Sequence, residues 1–140
     1  VAPEKKDEAR ILVRNALRQI DFCGAERMVR INQGKRGLED LSFIIPHNVN
    51  LILVPKCERA SEIEAVAAEV DNIRTRRGIE NKVWLMPIIE TALGVENAWS
   101  IATASKGEGK PLSSIIRRIF SLLSFHRFNS LAALRRVSKE

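Results

Sequence analysis

Three short apolar runs, at residues 27–32, 49–56 and 82–89, are separated by stretches of helical periodicity, and this alternation limits the folds open to the chain. Strands joined by helices of such length pair in parallel through right-handed crossovers. The third run, Lys82-Val83-Trp84-Leu85-Met86-Pro87-Ile88-Ile89, suits a strand buried on both faces, and it ends in Glu90. Folds built on parallel strands place their chemistry at the strands' carboxyl ends. Glu90 is therefore the first candidate functional residue.

The intervening stretches read as helices. Pro3 suits a helical first turn, Glu4, Asp7 and Glu8 favour the positive end of a helix dipole, and Ala9, Leu12, Val13, Ala16, Leu17 and Ile20 mark one face over 4–20. Gln33-Gly34-Lys35-Arg36-Gly37 reads as a turn, followed by a short helix over 38–45 that packs Leu38, Leu41 and Ile45. Ser61 with Glu64 makes a capping-box pair for a helix whose face is Ile63, Val66, Ala67, Val70 and Ile73, and Gly78 is its stop. A further helix is expected over 95–105, and Trp84 and Trp99 are expected in the core. A closed eight-stranded barrel takes ~200 residues or more. With three strands in view, the chain is either a small open sheet or part of something larger.

The 140 residues and 45% hydrophobic content suffice for one globular core. Cys23 and Cys57 make no disulfide framework, and no Cys/His cluster has zinc-ligand spacing, so buried thiols in a reducing, cytoplasmic compartment are expected, or the mitochondrial matrix in a eukaryote. Charged residues at 4–8 stand where a signal peptide would be apolar, and no apolar run approaches the ~20 residues of a membrane span. The formal charge of +6 is unevenly placed: residues 1–106 hold 16 Lys+Arg against 15 Asp+Glu, and residues 107–140 hold 7 against 2. This divides the chain into a nearly neutral body, 1–106, and a basic tail, 107–140. Ile115, Ile116, Ile119, Phe120, Leu122 and Leu123 give the tail an apolar helical face beside Arg117 and Arg118. Such a tail offers contact with an anionic membrane surface, nucleic acid or a protein partner. No nucleic-acid motif accompanies the charge, so a solvated basic segment is the plainer reading.

Three strand ends carry polar groups: Arg30 and Asn32 on the first, Lys56 on the second and Glu90 on the third. Parallel pairing sets these on one rim, where an arginine fork, an ammonium and a carboxylate suit an anionic oxygen substrate and a hard divalent cation. Solvated charge at strand ends is the simpler alternative. Cys57 is read as a packed thiol or a rim group, His47 and His126 lack a neighbouring nucleophile, and the Arg74, Arg76 and Arg77 cluster suits a helix carboxyl end.

Four motifs carry a resemblance. Val29-Arg30-Ile31-Asn32, Gly37-Leu38-Glu39-Asp40-Leu41, Ile52-Leu53-Val54-Pro55-Lys56-Cys57-Glu58 and Pro87-Ile88-Ile89-Glu90-Thr91-Ala92-Leu93-Gly94-Val95 stand in the order and spacing of the citrate lyase β-subunit family, within the HpcH/HpaI aldolase superfamily. The resemblance covers residues 1 to about 106. It implies an α/β fold, a partial TIM-type (β/α) barrel with parallel strands, followed here by a helical basic C-terminal tail. It also implies Mg2+-dependent carbon–carbon cleavage or formation in an acyl-CoA, acyl-carrier thioester or related oxoacid substrate. By the resemblance Glu90 matches the metal-binding glutamate, Arg30 matches the catalytic arginine that contacts substrate oxygens, and Lys56 matches a lysine of the motif Ile52–Glu58 with at most a supporting role in substrate binding. A homo-oligomer or lyase-complex subunits are the partners it implies.

The sequence departs from the family pattern at both ends. Val1-Ala2-Pro3 corresponds to the end of the family's first acidic motif, and the basic tail follows Ser105-Lys106-Gly107 where the family has a strand ending in an aspartate metal ligand. The alternative expectation is therefore a non-catalytic truncated paralogue or fragment that acts through partner chains or an anionic surface.

Overall fold

The computed structural model describes residues 2–104. The helix expected in the 107–140 tail lies outside the described residues. The element order is α1 (Lys6–Gln19), β1 (Met28–Arg30), α2 (Gly34–Ile44), β2 (Leu51–Val54), α3 (Ala60–Arg77), β3 (Trp84–Pro87), α4 (Ala92–Glu96) and α5 (Ala98–Thr103). The three strands form one sheet in the order β1-β2-β3, and both pairings are parallel. This is the alternation expected from the apolar runs, and it is a mixed α/β arrangement consistent with part of a TIM-type fold.

The register sets Val29, Ile52 and Leu85 side by side, with Arg30, Leu53 and Met86 one step further on. Ile52, Val54 and Leu85 join Leu41, Ile63 and Ile101 in a single buried cluster, so the helices cover this face of the sheet. The expectation of strands buried on both faces is corrected here. Alternate strand residues point to the opposite face, and there Met28 is 52% exposed while Leu51, Leu53, Trp84 and Met86 are half-buried. Among the described residues no second layer covers them. Trp99 is likewise not a core residue: it is 76% exposed, on a short helix that contributes only Ile101 to the core.

Helix α1 follows a 3-10 turn at Pro3–Lys5 and carries Asp7 and Glu8 in its first turn, as the dipole argument requires. Its expected apolar face is only partly used. Leu17 is buried, but Leu12 and Ile20 are 67% and 53% exposed, because α1 packs on α2 and the 3-10 turn at Ile45–His47 and leaves part of its face open. Among the described residues no helix is long and apolar enough to cross a membrane.

Two local readings change. The Gln33–Gly37 segment is not a turn but the start of α2, and Gly37 serves packing: a Cβ there would lie 2.0 Å from the Asn32 carbonyl oxygen and 3.4 Å from Ile31 Cδ1. Alanine at 37 gains helix propensity but drives a methyl into backbone that has no room to retreat. We expect Gly37→Ala to destabilise by about 1–3 kcal/mol, as overpacking does, seen as a lower urea midpoint with unchanged slope. The second change is the cap of α3. Glu62, rather than the Ser61–Glu64 pair, closes the helix start, its Oε2 accepting from the Glu58 and Arg59 backbone N–H groups at 2.7 and 2.9 Å. Gly78 ends α3 as expected, in the left-handed conformation at φ 62. Just before that stop, Arg74 is occupied by the fold, donating to the Glu80 and Asn81 carbonyls and to Asp71.

Candidate active site at the strand ends

β1 ends at Arg30, and β3 is separated from Glu90 by Ile88 and Ile89. Ile88 remains tied to the sheet, its N–H donating to the Val54 carbonyl at 2.8 Å and its own carbonyl accepting from Cys57 N at 3.0 Å. The next turn is held just as firmly. Thr91 caps α4 by accepting from Gly94 N at 3.1 Å, and Gly94 packs so tightly that a Cβ would lie 2.6 Å from the Cys57 carbonyl oxygen. Glu90 is thus placed between a paired strand end and a capped helix start.

The result is a direct contact across the sheet. Arg30 Nη2 donates to Glu90 Oε1 at 3.2 Å, linking the ends of β1 and β3 over the end of β2. The two side chains are 54% and 31% exposed. An ion pair open to solvent contributes only about 0.2–1 kcal/mol, so fold stability is a weak reason for holding the pair there. Lys56 is on the same rim but is not brought into this contact. It is exposed, has a left-handed backbone at φ 47 and makes no ion pair among the described residues.

Asn32 is fixed by a network that the rim reading misses. Asp40, the one buried charged residue of the described core, accepts from Asn32 N at 2.9 Å and Asn32 Nδ2 at 2.7 Å through Oδ2, and from Arg10 Nε at 2.7 Å through Oδ1. The carboxylate therefore ties the segment after Arg30 to α2 and α1 together. A signal for it exists in the sequence: Asp40 shares a helix face with Gly37, Leu41 and Ile44, so a charge stands on an otherwise buried stripe.

Cys57 is buried, and its Sγ lies 3.7 Å from the Arg59 carbonyl oxygen. Burial, with Glu62 nearby, pushes its thiol up to about 11. Cys23 is exposed. At pH 8 only about one Cys57 in a thousand is thiolate. We expect a maleimide or disulfide reagent to label Cys23 in the native chain and Cys57 only after unfolding. The raised pKa also fixes the sign of a pH effect. The stability from the neutral buried thiol is full below pH 9 and is lost as pH rises toward 11.

The helix expected over 95–105 is broken into α4 and α5 at Asn97, whose Nδ2 donates to the Glu58 carbonyl at 2.9 Å and draws the chain toward the loop after β2. Among the described residues no group of three or more His, Cys, Asp or Glu side chains could hold a metal ion. Glu90 is one carboxylate with Oε2 outside its contact to Arg30. Mg2+ takes one or two carboxylates and fills its remaining positions with waters and substrate oxygens, so this donor fits that ion as a single protein contact.

The HpcH/HpaI aldolase/citrate lyase family model matches residues 1–113. The chain belongs to this family. It is 35% identical over 101 residues to the mitochondrial citramalyl-CoA lyase of Homo sapiens, covering 69% of this chain and 30% of that protein. It is 36% identical over 104 residues to a (3S)-malyl-CoA thioesterase of Cereibacter sphaeroides, covering 73% and 33%. The citrate lyase subunit beta of Haemophilus influenzae is 33% identical over 109 residues, covering 76% and 38%. The chain therefore spans about a third of the length of these relatives. The family expectation from the four motifs is met.

Proposed function

We propose that the described residues form one side of a carbon–carbon lyase site for a citryl- or malyl-type acyl thioester, carried on CoA or an acyl carrier, or a related oxoacid. The observation that carries this reading is the Arg30–Glu90 contact at 3.2 Å, which joins an arginine fork and a carboxylate at the carboxyl ends of parallel strands. The thioesters in the names of the malyl-CoA and citramalyl-CoA relatives support the substrate class. Glu90 would hold Mg2+, and a bound divalent cation supplies stabilisation of the enolate charge that develops as the carbon–carbon bond breaks. Arg30 orients the substrate by pairing with its anionic oxygens, and Lys56 adds positive charge at the rim. In this reading residues 1–106 are consecutive units of a (β/α) barrel, and 107–140 are a separate basic tail. The test is turnover of malyl-CoA and citramalyl-CoA by the full chain, with Mg2+ and with a chelator. Mg2+-dependent cleavage supports the reading, and its absence in folded protein ends it.

A second reading has its own observation. β1 and β3 are both sheet edges among the described residues, and unpaired edges accept further strands. A non-catalytic paralogue or fragment that works inside an assembly of lyase subunits, or as a homo-oligomer, would present such edges. Its mark is a change of mass with concentration without turnover.

A further inference from the structure

The large apolar side chains that stay exposed among the described residues are not scattered. They lie on α1, at Ile20 after it, at Met28 of β1, and on α4 and α5, while α2, β2 and α3 carry none. α1 packs on α2, α2 on α3 and α3 on α5, so α1 and α5 are the two ends of the helix layer. The α5 end holds the most exposed of them, Trp99 at 76%, with Val95 at 67% four residues before it. The helical path runs on through Asn97, whose N–H donates to the Leu93 carbonyl and whose carbonyl accepts from Ile101 N, both at 3.0 Å. Gly94 and Ile101 are buried on one side of this path, and Val95 and Trp99 stand together on the other.

The chain that leaves this end of the layer is suited to cover it. Residues 105–140 follow Ala104 directly, and they carry the apolar stripe Ile115, Ile116, Ile119, Phe120, Leu122 and Leu123, at helical spacing with Ser114 and Ser121 on the reverse. Residues 105–114 lie between, a length that reaches up to about 33 Å, whereas Trp99 is only ~8 Å back along the helix from Ala104. The exposed face of α1 is three helix spacings away, about 24–30 Å. Charge agrees. Residues 91–104 carry one charged group, Glu96, while residues 107–140 hold 7 Lys+Arg against 2 Asp+Glu. Area argues against a second copy: Trp99 offers at most ~250 Å² and Leu93 and Val95 each less, against about 800 Å² per partner in a stable interface. A tethered segment docks on so small a face because most of the entropy of association is already lost.

We propose that the apolar stripe of residues 115–123 docks on the face formed by Val95 and Trp99 of the same chain. The basic tail then closes the end of the helix layer at the point where the sequence leaves the family pattern. Trp99 gains the covered environment that a large aromatic side chain favours. The stripe is in turn withheld from an anionic membrane or nucleic acid. This docking does not rest on the lyase reading, since no residue of the strand-end rim takes part.

The experiment is acrylamide quenching of tryptophan fluorescence in the full chain carrying Trp84→Phe, which leaves Trp99 as the one tryptophan. Trp99 is expected to be shielded, with emission to the blue of the urea-unfolded chain and weaker quenching, at every protein concentration. Ile116→Asp combined with Ile119→Asp should bring the quenching close to the unfolded value. Ser114→Asp combined with Ser121→Asp makes the same change of charge on the reverse of the stripe and should leave the shielding in place. Circular dichroism establishes that each variant is folded. If Trp84→Phe does not fold, the Trp99 indole N–H resonance, identified by its loss in Trp99→Phe, gives the same answer: it moves with the isoleucine pair and not with the serine pair. The proposal is overturned if Trp99 is as quenchable as in urea, if the isoleucine pair leaves it shielded, or if the serine pair releases it as well. Shielding that falls on dilution assigns the face to a second copy, and shielding that appears only with phosphatidylserine vesicles assigns it to a membrane; either result also overturns the proposal.

Discussion

Under the proposed lyase function, Glu90→Gln is expected to remove Mg2+-dependent carbon–carbon cleavage of the acyl thioester, lowering kcat/KM by on the order of 10²–10³-fold, while leaving the fold intact. The two halves of this expectation come from the same contact. Arg30 and Glu90 are 3.2 Å apart and substantially solvated, so their pairing adds little to stability, and a glutamine oxygen still accepts from the guanidinium. What the amide lacks is the negative charge that would hold a hard cation beside an anionic substrate. Thermal unfolding of the variant should therefore stay within a few degrees of wild type. Retained Mg2+-dependent turnover in Glu90→Gln would remove Glu90 from the metal site. Arg30→Lys gives the complementary check, since an ammonium keeps the charge but loses the planar fork, and KM should rise more than kcat falls.

The parts of the fold that were legible in the sequence are those governed by periodicity. The three apolar runs are strands and their connections are helices, because alternation and helical spacing report burial directly. Ends were less legible. Each strand is shorter than its apolar run; Asn48 and Lys56, with left-handed backbones at φ 56 and φ 47, turn the chain away on either side of β2. The role of Gly37 was hidden for a related reason: glycine in a polar segment reads as a turn, whereas here it lets α2 approach the Asn32 carbonyl. Exposure of Trp99 and Leu12 was illegible because it depends on which surfaces neighbouring elements cover, and no local pattern records that. Arg30 and Glu90 were each readable as strand-end groups, and parallel topology alone put them on one rim. Their contact was not readable, since it needs the register that places Arg30 level with Leu53 and Met86. The Asp40 network lay furthest from view because its partners stand 30 residues and 8 residues away.

Asp40→Ala should be the most damaging single substitution for stability, costing about 3–5 kcal/mol, because it leaves Arg10 largely buried with its strongest partner removed. That loss is a large part of the ~5–15 kcal/mol that separates folded from unfolded domains, so much of the variant should be unfolded at 37 °C. A paired replacement distinguishes the reasons. If Asp40 mattered only as half of an ion pair, Arg10→Met combined with Asp40→Leu would restore wild-type stability, since apolar substitutes for a buried pair are often neutral or better. The geometry predicts otherwise. Asp40 Oδ2 also accepts from Asn32 N and Nδ2, and the double variant leaves both donors without that acceptor. A residual deficit of about 1–3 kcal/mol is therefore expected in urea denaturation of the double variant, the cost of part-buried donors left without their acceptor. Hydrogen exchange locates the deficit: the Asn32 amide should exchange faster in the double variant, while amides in the middle of α3 slow or accelerate only with global stability. Full recovery with a protected Asn32 would mean that Asp40 serves α1 alone, and that the segment carrying Arg30 to the rim is fixed by Gly37 and the strand pairing without it.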